Sequence, residues 1–398
     1  MKALLLTAAT FTTLNLHAQQ LYYLSDLPAN PNFGVALQDS HLYVISSFDV
    51  VSYNISQPAA PAYLSTASPQ FWPFSLFIDG NYLFCGGGMV GQLTVIDISQ
   101  PNLLTIVHED PSITGTVYQF AKSNQHLYFT TNQDSLITAD ISNPASPVIT
   151  SRIGLNSVLS EGVAVIGNRL FLGSTTGIRV YDISNPSLPV YLTIYPVSAK
   201  TIYYNAQQQQ LYVLTSGSAV NVYNAGNPNA LSLSYSFQAN AEKLSVENNR
   251  IAALQNQSGS VELFQAGPAS AISLSTFTTP NPGGQHIDIA MHDSIIAYTT
   301  VNSTYILKYG IVNPASIEEQ SSEYIQLLFH QDTKEISILQ QTTDLERIKT
   351  IEFYTSAGQL IEVWDNVNAN AIKINQQPAV YKLHTLDGHI YQGKIKVH

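Results

Sequence analysis

Charged residues are scarce in this chain. Asp, Glu, Lys and Arg make up 11% of its 398 residues, against roughly a quarter in ordinary soluble domains. A surface with so few charges must be carried by Asn, Gln, Ser and Thr, a composition that suits sheets and turns better than salt-bridged helices. Basic residues are the rarer sign. The net charge of −11 leaves no cationic surface to follow a phosphate backbone, so no nucleic-acid partner is expected.

Cysteine is almost absent. Cys85 is the only one, so no disulfide can form within the chain and the core must hold the fold unaided. It lies in "YLFCGGG", at the end of an apolar strand pattern, and reads as a buried inert thiol rather than a nucleophile. Long apolar runs are missing too: past the first twenty residues nothing approaches the ~18 residues of a membrane span, and no transmembrane segment is expected. The N-terminal text "MKALLLTAATFTTLNLHAQQ" is different. Lys2, the apolar stretch Ala3 to Leu16 and the small-residue site Leu16-His17-Ala18 read as a signal peptide over residues 1–18, which implies export.

Motifs that carry chemistry are also lacking. There is no H-E-x-x-H, Cys pair or D-x-D-x-D-G loop, and the ten His are scattered, so no metal site is assigned. No G-x-S-x-G elbow occurs. The G-x-G inside "CGGGMVGQ" (85–92) joins two strand patterns and opens no helix, so it is not a phosphate-binding fingerprint. No catalytic residue and no cofactor is assigned.

What the chain does have is repetition. "NISQP" (54–58), "DISQP" (97–101), "DISNP" (140–144) and "DISNP" (182–186) are followed by the weaker "NAGNP" (224–228), "FQAGP" (264–268) and "GIVNP" (310–314). Their prolines, at 58, 101, 144, 186, 228, 268 and 314, keep a period near 42. The fourth unit contains four short apolar runs, "VAVI", "RLFLG", "IRVYDI" and "VYLTIY", separated by turn residues, which predicts a four-stranded antiparallel sheet. Four strands per period of about 42 is a propeller-blade pattern. The fold class is therefore all-β, a seven-bladed β-propeller over 19–322. The opening "QQLYYLSDLP" is expected to pair beside the last repeat and close the ring, since "SIEEQSS" (316–322) is poor strand material. Asp97, Asp140 and Asp182 recur in one slot of successive units, so they are expected to bond turn backbone rather than to form a carboxylate site.

The strand ending in D-I-S-N-P, with turns such as "IGNRLFL" before it, resembles the LVIVD repeat of bacterial propellers, best over 76–107 and 163–192. The last three units lack the Asp. Residues 323–398 lose the period and gain lysine. Alternating runs around "SAG" (356–358) and Asp387-Gly388, with "EYIQLLF", "KEISIL" and "AIKIN", predict about seven short strands and a small Ig-like β-sandwich. "FYTSAGQLI" (353–361) and "PAVYKLHTLDGHIYQGKIKV" (378–397) resemble the C-terminal sorting domain of type IX secretion cargo, although Ala379 replaces the usual Gly and an opening Asn-Pro element is missing. That resemblance implies the type IX machinery as partner, and a secreted or outer-membrane-surface protein of a Gram-negative bacterium.

Propellers bind ligands where loops converge at a channel mouth. The residues ahead of the inner strands are Phe33, Phe74, Tyr118, Glu161, Thr201, Glu242 and His286. The adjacent loop adds Phe71 and Trp72, and "TPNPGGQH" (279–286) forms the longest loop opposite. An aromatic crescent facing Glu161, Glu242 and His286 suits a glycan, peptide or protein partner without turnover. The alternative is a polysaccharide hydrolase or lyase using those carboxylates. The same residues could instead serve only to plug the channel.

Overall fold

The structure, a computed structural model, describes residues 19–28, 32–88, 91–133, 135–155, 160–255, 259–279, 286–311, 325–330, 332–341, 348–355, 360–364, 371–374, 377–378, 380–385 and 390–397. The signal-peptide segment 1–18, the 316–322 segment, the loop 280–285 and the turns at 356–358 and 387–388 lie outside these residues. So does Ala379. Among the described residues every regular element is a strand.

Two compact units emerge, one spanning Gln20–Gly310 and a second that includes Ile311–His398. The first contains seven four-stranded antiparallel sheets. The fourth is the plainest: Ser160–Ile166, Arg169–Ser174, Gly177–Asp182 and Val190–Tyr195 coincide with the four apolar runs of that repeat. Burial follows strand position. The second strand of each sheet is buried on both faces (His126–Thr131 and Ile295–Thr300, for example), which explains the continuous apolar text there. By contrast, the outermost strand Val190–Tyr195 is almost wholly exposed.

Both faces are buried because each sheet stacks on two neighbours. Tyr43 and Ile45 of the first sheet share a core with Leu83, Cys85 and Ile96 of the second. Phe84 of the second meets Phe129 and Ile137 of the third. The series runs on to the seventh sheet, whose Ala297 and Ile306 pack with Val35, Leu42 and Val44 of the first. The first strands of successive sheets are likewise neighbours in an unbroken cycle, with Asn32–Gln38 beside His286–His292. The stack therefore closes on itself as a β-propeller-like ring. The strand Gln19–Pro28 pairs with Ser303–Ile311, giving the last sheet its fourth strand from the other end of the unit. That is the closure expected from the sequence.

The recurring Asp or Asn is a turn device. Asn54, Asp97, Asp140 and Asp182 each accept a hydrogen bond through Oδ1 from the backbone N–H two residues on, at 2.8 Å in all four. Asn224 does the same at 2.9 Å. The N–H of the intervening residue reaches back to the turn between the first two strands of its own sheet, as Ile98 does to Asn81 O at 2.8 Å. Ser142 and Ser184 donate to the carboxylates of Asp140 and Asp182 and hold both below the usual range.

The second unit has two four-stranded sheets. One contains Ile325–His330, Glu335–Gln341, Ala371–Lys373 and Lys396–Val397; the other contains Ile348–Tyr354, Leu360–Trp364, Val380–Thr385 and Ile390–Lys394. Lys396–Val397 runs parallel to Ile325–His330, whereas the other pairings are antiparallel. Leu327, Phe329 and Ile336 from the first sheet meet Ile351, Phe353, Trp364 and Tyr381 from the second in one core.

Candidate functional site

The first strands of five sheets carry the same irregularity at the same end. Pairing along Asn32–Gln38 slips between Asn32 and Val35, and along Pro73–Asp79 between Pro73 and Ser75. The slips at Val117–Phe120, Ser160–Gly162 and His286–Asp288 are equivalent. In each case the inner strand has one residue more than its partner, a β-bulge, which bends the strand and re-aims a side chain. The inner-strand residues left without a ladder partner are Phe33 and Gly34, Phe74, Tyr118 and Gln119, Glu161, and Ile287. Among them are Phe33, Phe74, Tyr118 and Glu161, four of the residues that the sequence places ahead of the inner strands.

The other sheets differ in their pairing. Strands Thr201–Asn205 and Lys243–Glu247 pair without a slip. Thr201 is accordingly buried at 2% exposure, and Glu242 sits just ahead of its strand. In the seventh sheet the bulge falls on Ile287, next to His286, which is the strand's first residue and whose side chain lies outside the described residues. Alternation of apolar residues does not reveal a bulge, so a one-residue shift is invisible before the pairing is known.

The freed aromatic residues touch in series. Phe33 meets Trp72 edge to face at 5.0 Å between ring centroids, and Phe74 at 5.6 Å. Phe74 meets Tyr118 at 5.7 Å, with the rings perpendicular. Phe48, from the turn after His41–Ser46, extends the row by packing on Trp72 at 5.3 Å. It is 59% exposed, and the sequence pattern gave no sign of it. Phe71 is half-buried next to Trp72 in the loop, outside this series of ring contacts. The backbone pins Trp72, whose carbonyl accepts from Gly88 N at 2.7 Å. Its Nε1 is buried without a hydrogen-bond partner among the described residues. These spacings are those of mutually stabilising aromatic pairs.

Glu161 stands at the far end of the row. Burial first, and then the Glu161 carboxylate beside it, push the Tyr118 phenol up from its ordinary value, opposed by a hydrogen bond with Asn132. Glu242 has a different partner, the Lys200 ammonium at 2.5 Å. The two carboxylates are therefore not a matched pair with shared surroundings.

Further along the inner strands the interior is polar. Gln119 Nε2 donates to Ile202 O at 2.9 Å, reaching past the fourth sheet. Asp288 accepts from Val35 N at 3.1 Å. Burial raises its carboxyl, and nearby Lys243 and the backbone donors oppose that rise. Burial and Asp288 both push the Tyr203 phenol up. Asp288 and Tyr203 are enclosed by protein yet keep part of their surface open, as groups lining a narrow lumen do. At another place, Glu247, His292 and Asp293 bring ligand-type atoms within 4.8 Å of one another. Glu247 Oε1 there already accepts from Asp293 N at 3.0 Å and lies 3.4 Å from His292 Nδ1.

Cys85 is 2% exposed, and burial pushes its thiol far above the ordinary value. The Gly-rich segment after it joins Tyr82–Gly87 to Leu93–Asp97, two paired strands. Among the described residues no helix is long and apolar enough to cross a membrane.

No curated protein matches this sequence. Among solved structures, the chain is similar to one in the "Crystal Structure of Mitotic Checkpoint Complex", at 12% identity and a TM-score of 0.56, covering 76% of this chain and 98% of that one. It is also similar to a functionally unknown protein from Desulfotomaculum acetoxidans, at 15% identity and a TM-score of 0.53, covering 61% and 85%. At such identities the likeness is one of fold. The sequence itself carries the LVIVD repeat in three places, residues 75–109, 119–153 and 160–197.

Proposed function

We propose that this protein is an exported, non-catalytic seven-bladed β-propeller that binds a partner at the aromatic mouth of its ring. The reading rests chiefly on the bulges. A device that costs ladder pairing recurs in five sheets, and in three consecutive ones it frees Phe33, Phe74 and Tyr118 into one row with Trp72. Large, stiff aromatic residues give contact area at low entropic cost, the usual composition of a binding surface. In this reading residues 1–18 are a signal peptide. Residues 323–398 are an Ig-like β-sandwich that addresses the chain to the type IX machinery, and the protein acts in the medium or on the outer surface of a Gram-negative cell.

The hydrolase or lyase reading has less support, because Glu242 is held by Lys200 and shares no partner with Glu161. The deciding experiment is a binding screen of the full chain against glycans, peptides and cell-envelope proteins, with Trp72→Ala and Phe48→Ala in parallel. Phe48 is exposed enough for its variant to fold normally. The expected result is a ligand that is retained unaltered and bound several-fold more weakly by both variants. Binding indifferent to both, or turnover of a bound polysaccharide, would overturn the proposal.

A further inference from the structure

Beside its aromatic row the mouth carries a partly exposed carboxylate, Glu161, with no partner among the described residues. We infer that the ligand is an extended peptide segment presenting lysine or arginine, seated on Phe48, Trp72, Phe33, Phe74 and Tyr118 with its cation toward Glu161. This rests on the reading of the mouth as the binding site and names the ligand's chemistry.

Asn132 Oδ1 accepts from Thr116 N at 2.8 Å, and its amide reaches Thr116 Oγ1 at 3.4 Å. The Gln119 amide donates to Ile202 O. In the neighbouring loops, Gln92 Nε2 and Gln70 N both bond Glu109 Oε1, at 3.0 and 2.8 Å. Two nearby cations are occupied as well: Lys200 by Glu242 and the Arg152 guanidinium by Ser112 at 2.7 Å. Glu161 has neither hydrogen bond nor ion pair among the described residues, while its charge is felt by the Tyr118 phenol.

A glycan needs many free donors and acceptors around its stacked rings, since each hydroxyl buried without a partner is costly. The polar atoms nearest this row either bond the protein itself or, like Trp72 Nε1 and Gln119 Oε1, are buried out of a ligand's reach. A cationic side chain needs less: aromatic faces attract it through the ring quadrupole, and a carboxylate at the end of the row completes the site. The balance of charge over 19–322, 8 Lys and Arg against 18 Asp and Glu, favours approach of the same kind of partner. The row crosses three sheets from Phe48 to Tyr118, which fits an extended segment rather than a single small cation.

The test is calorimetric titration of the full chain with N-acetyl-tetralysine amide, tetraglutamine amide and a β-linked glucose oligosaccharide, at low and at physiological salt. The expected result is saturable binding of tetralysine alone, weakened by salt, with Glu161→Gln reducing affinity about tenfold and Trp72→Ala at least as much. Asp293→Asn, an exposed acid elsewhere (83% exposed side chain), should leave binding unchanged. Tetraglutamine binding as well as tetralysine, or an oligosaccharide bound in a Trp72-dependent way, would overturn the inference and leave the mouth as the site. Tetralysine binding indifferent to Glu161→Gln, Trp72→Ala and Phe48→Ala would reflect diffuse attraction to an acidic chain and would overturn both.

Discussion

Thr299 and Thr138 offer a paired test of what holds the ring shut. Both are wholly buried strand residues at 0% exposure, and both become Val with almost no change of shape. Only the hydroxyl differs in its surroundings. Thr299 Oγ1, on the last sheet, donates to Phe33 O on the first at 2.7 Å. Thr138 Oγ1 is buried with no partner among the described residues. Thr299→Val leaves the Phe33 carbonyl without its donor, which costs about 1–3 kcal/mol. Thr138→Val removes a desolvated hydroxyl that returns nothing, so the change is neutral or stabilising by about 1 kcal/mol. At about 2–4 °C per kcal/mol for a domain of 150–250 residues, Thr299→Val should lower the melting temperature by about 2–12 °C. Thr138→Val should leave it unchanged or raise it by up to about 4 °C. Calorimetric scans of the full chain read both. Equal shifts in the two variants, or an unaffected Thr299→Val, would refute the assignment of the closing hydrogen bond.

Two further outcomes follow from the titrating groups. Cys85 should resist an aromatic disulfide reagent at pH 8 in the native chain and react stoichiometrically in guanidinium; rapid native labelling would contradict its burial. Asp140 and Asp182 have folded pKa values below their unfolded ones, near 3.9, so what they contribute is fully present above that value and is lost as pH falls through the folded value. The melting temperature of Asp140→Asn/Asp182→Asn should therefore fall less steeply between pH 5 and pH 2.5 than that of the parent, and parallel slopes would refute the linkage.

The repeat was legible because its turn is chemical. An Asp or Asn must stand two residues before the N–H it accepts, so the slot recurs in the text wherever the turn recurs in space. The second strands were legible for a similar reason, since burial on both faces forces continuous apolar runs. The bulges were not legible. Phe33, Phe74, Tyr118, Glu161 and Ile287 lie at register slips, and a register slip leaves no mark on composition. Phe48 was missed because it belongs to a turn of one sheet and packs on a loop leading into the next. The group of Tyr203, Lys243 and Asp288 was missed because curvature of the ring brings these residues together, while no local spacing does.

The bulges also set the terms on which this surface can change. A residue displaced from the strand's alternation is released from the stacking that fixes its neighbours, so its identity is nearly free. Within one chain that slot holds Phe, Phe, Tyr, Glu and Ile, while the turn at the opposite end of the sheets keeps its Asp or Asn in five. Each sheet thus behaves like a socket with a standard base and an exchangeable head. A new specificity would require replacing a few single residues around the rim, with the ring beneath them left as it is.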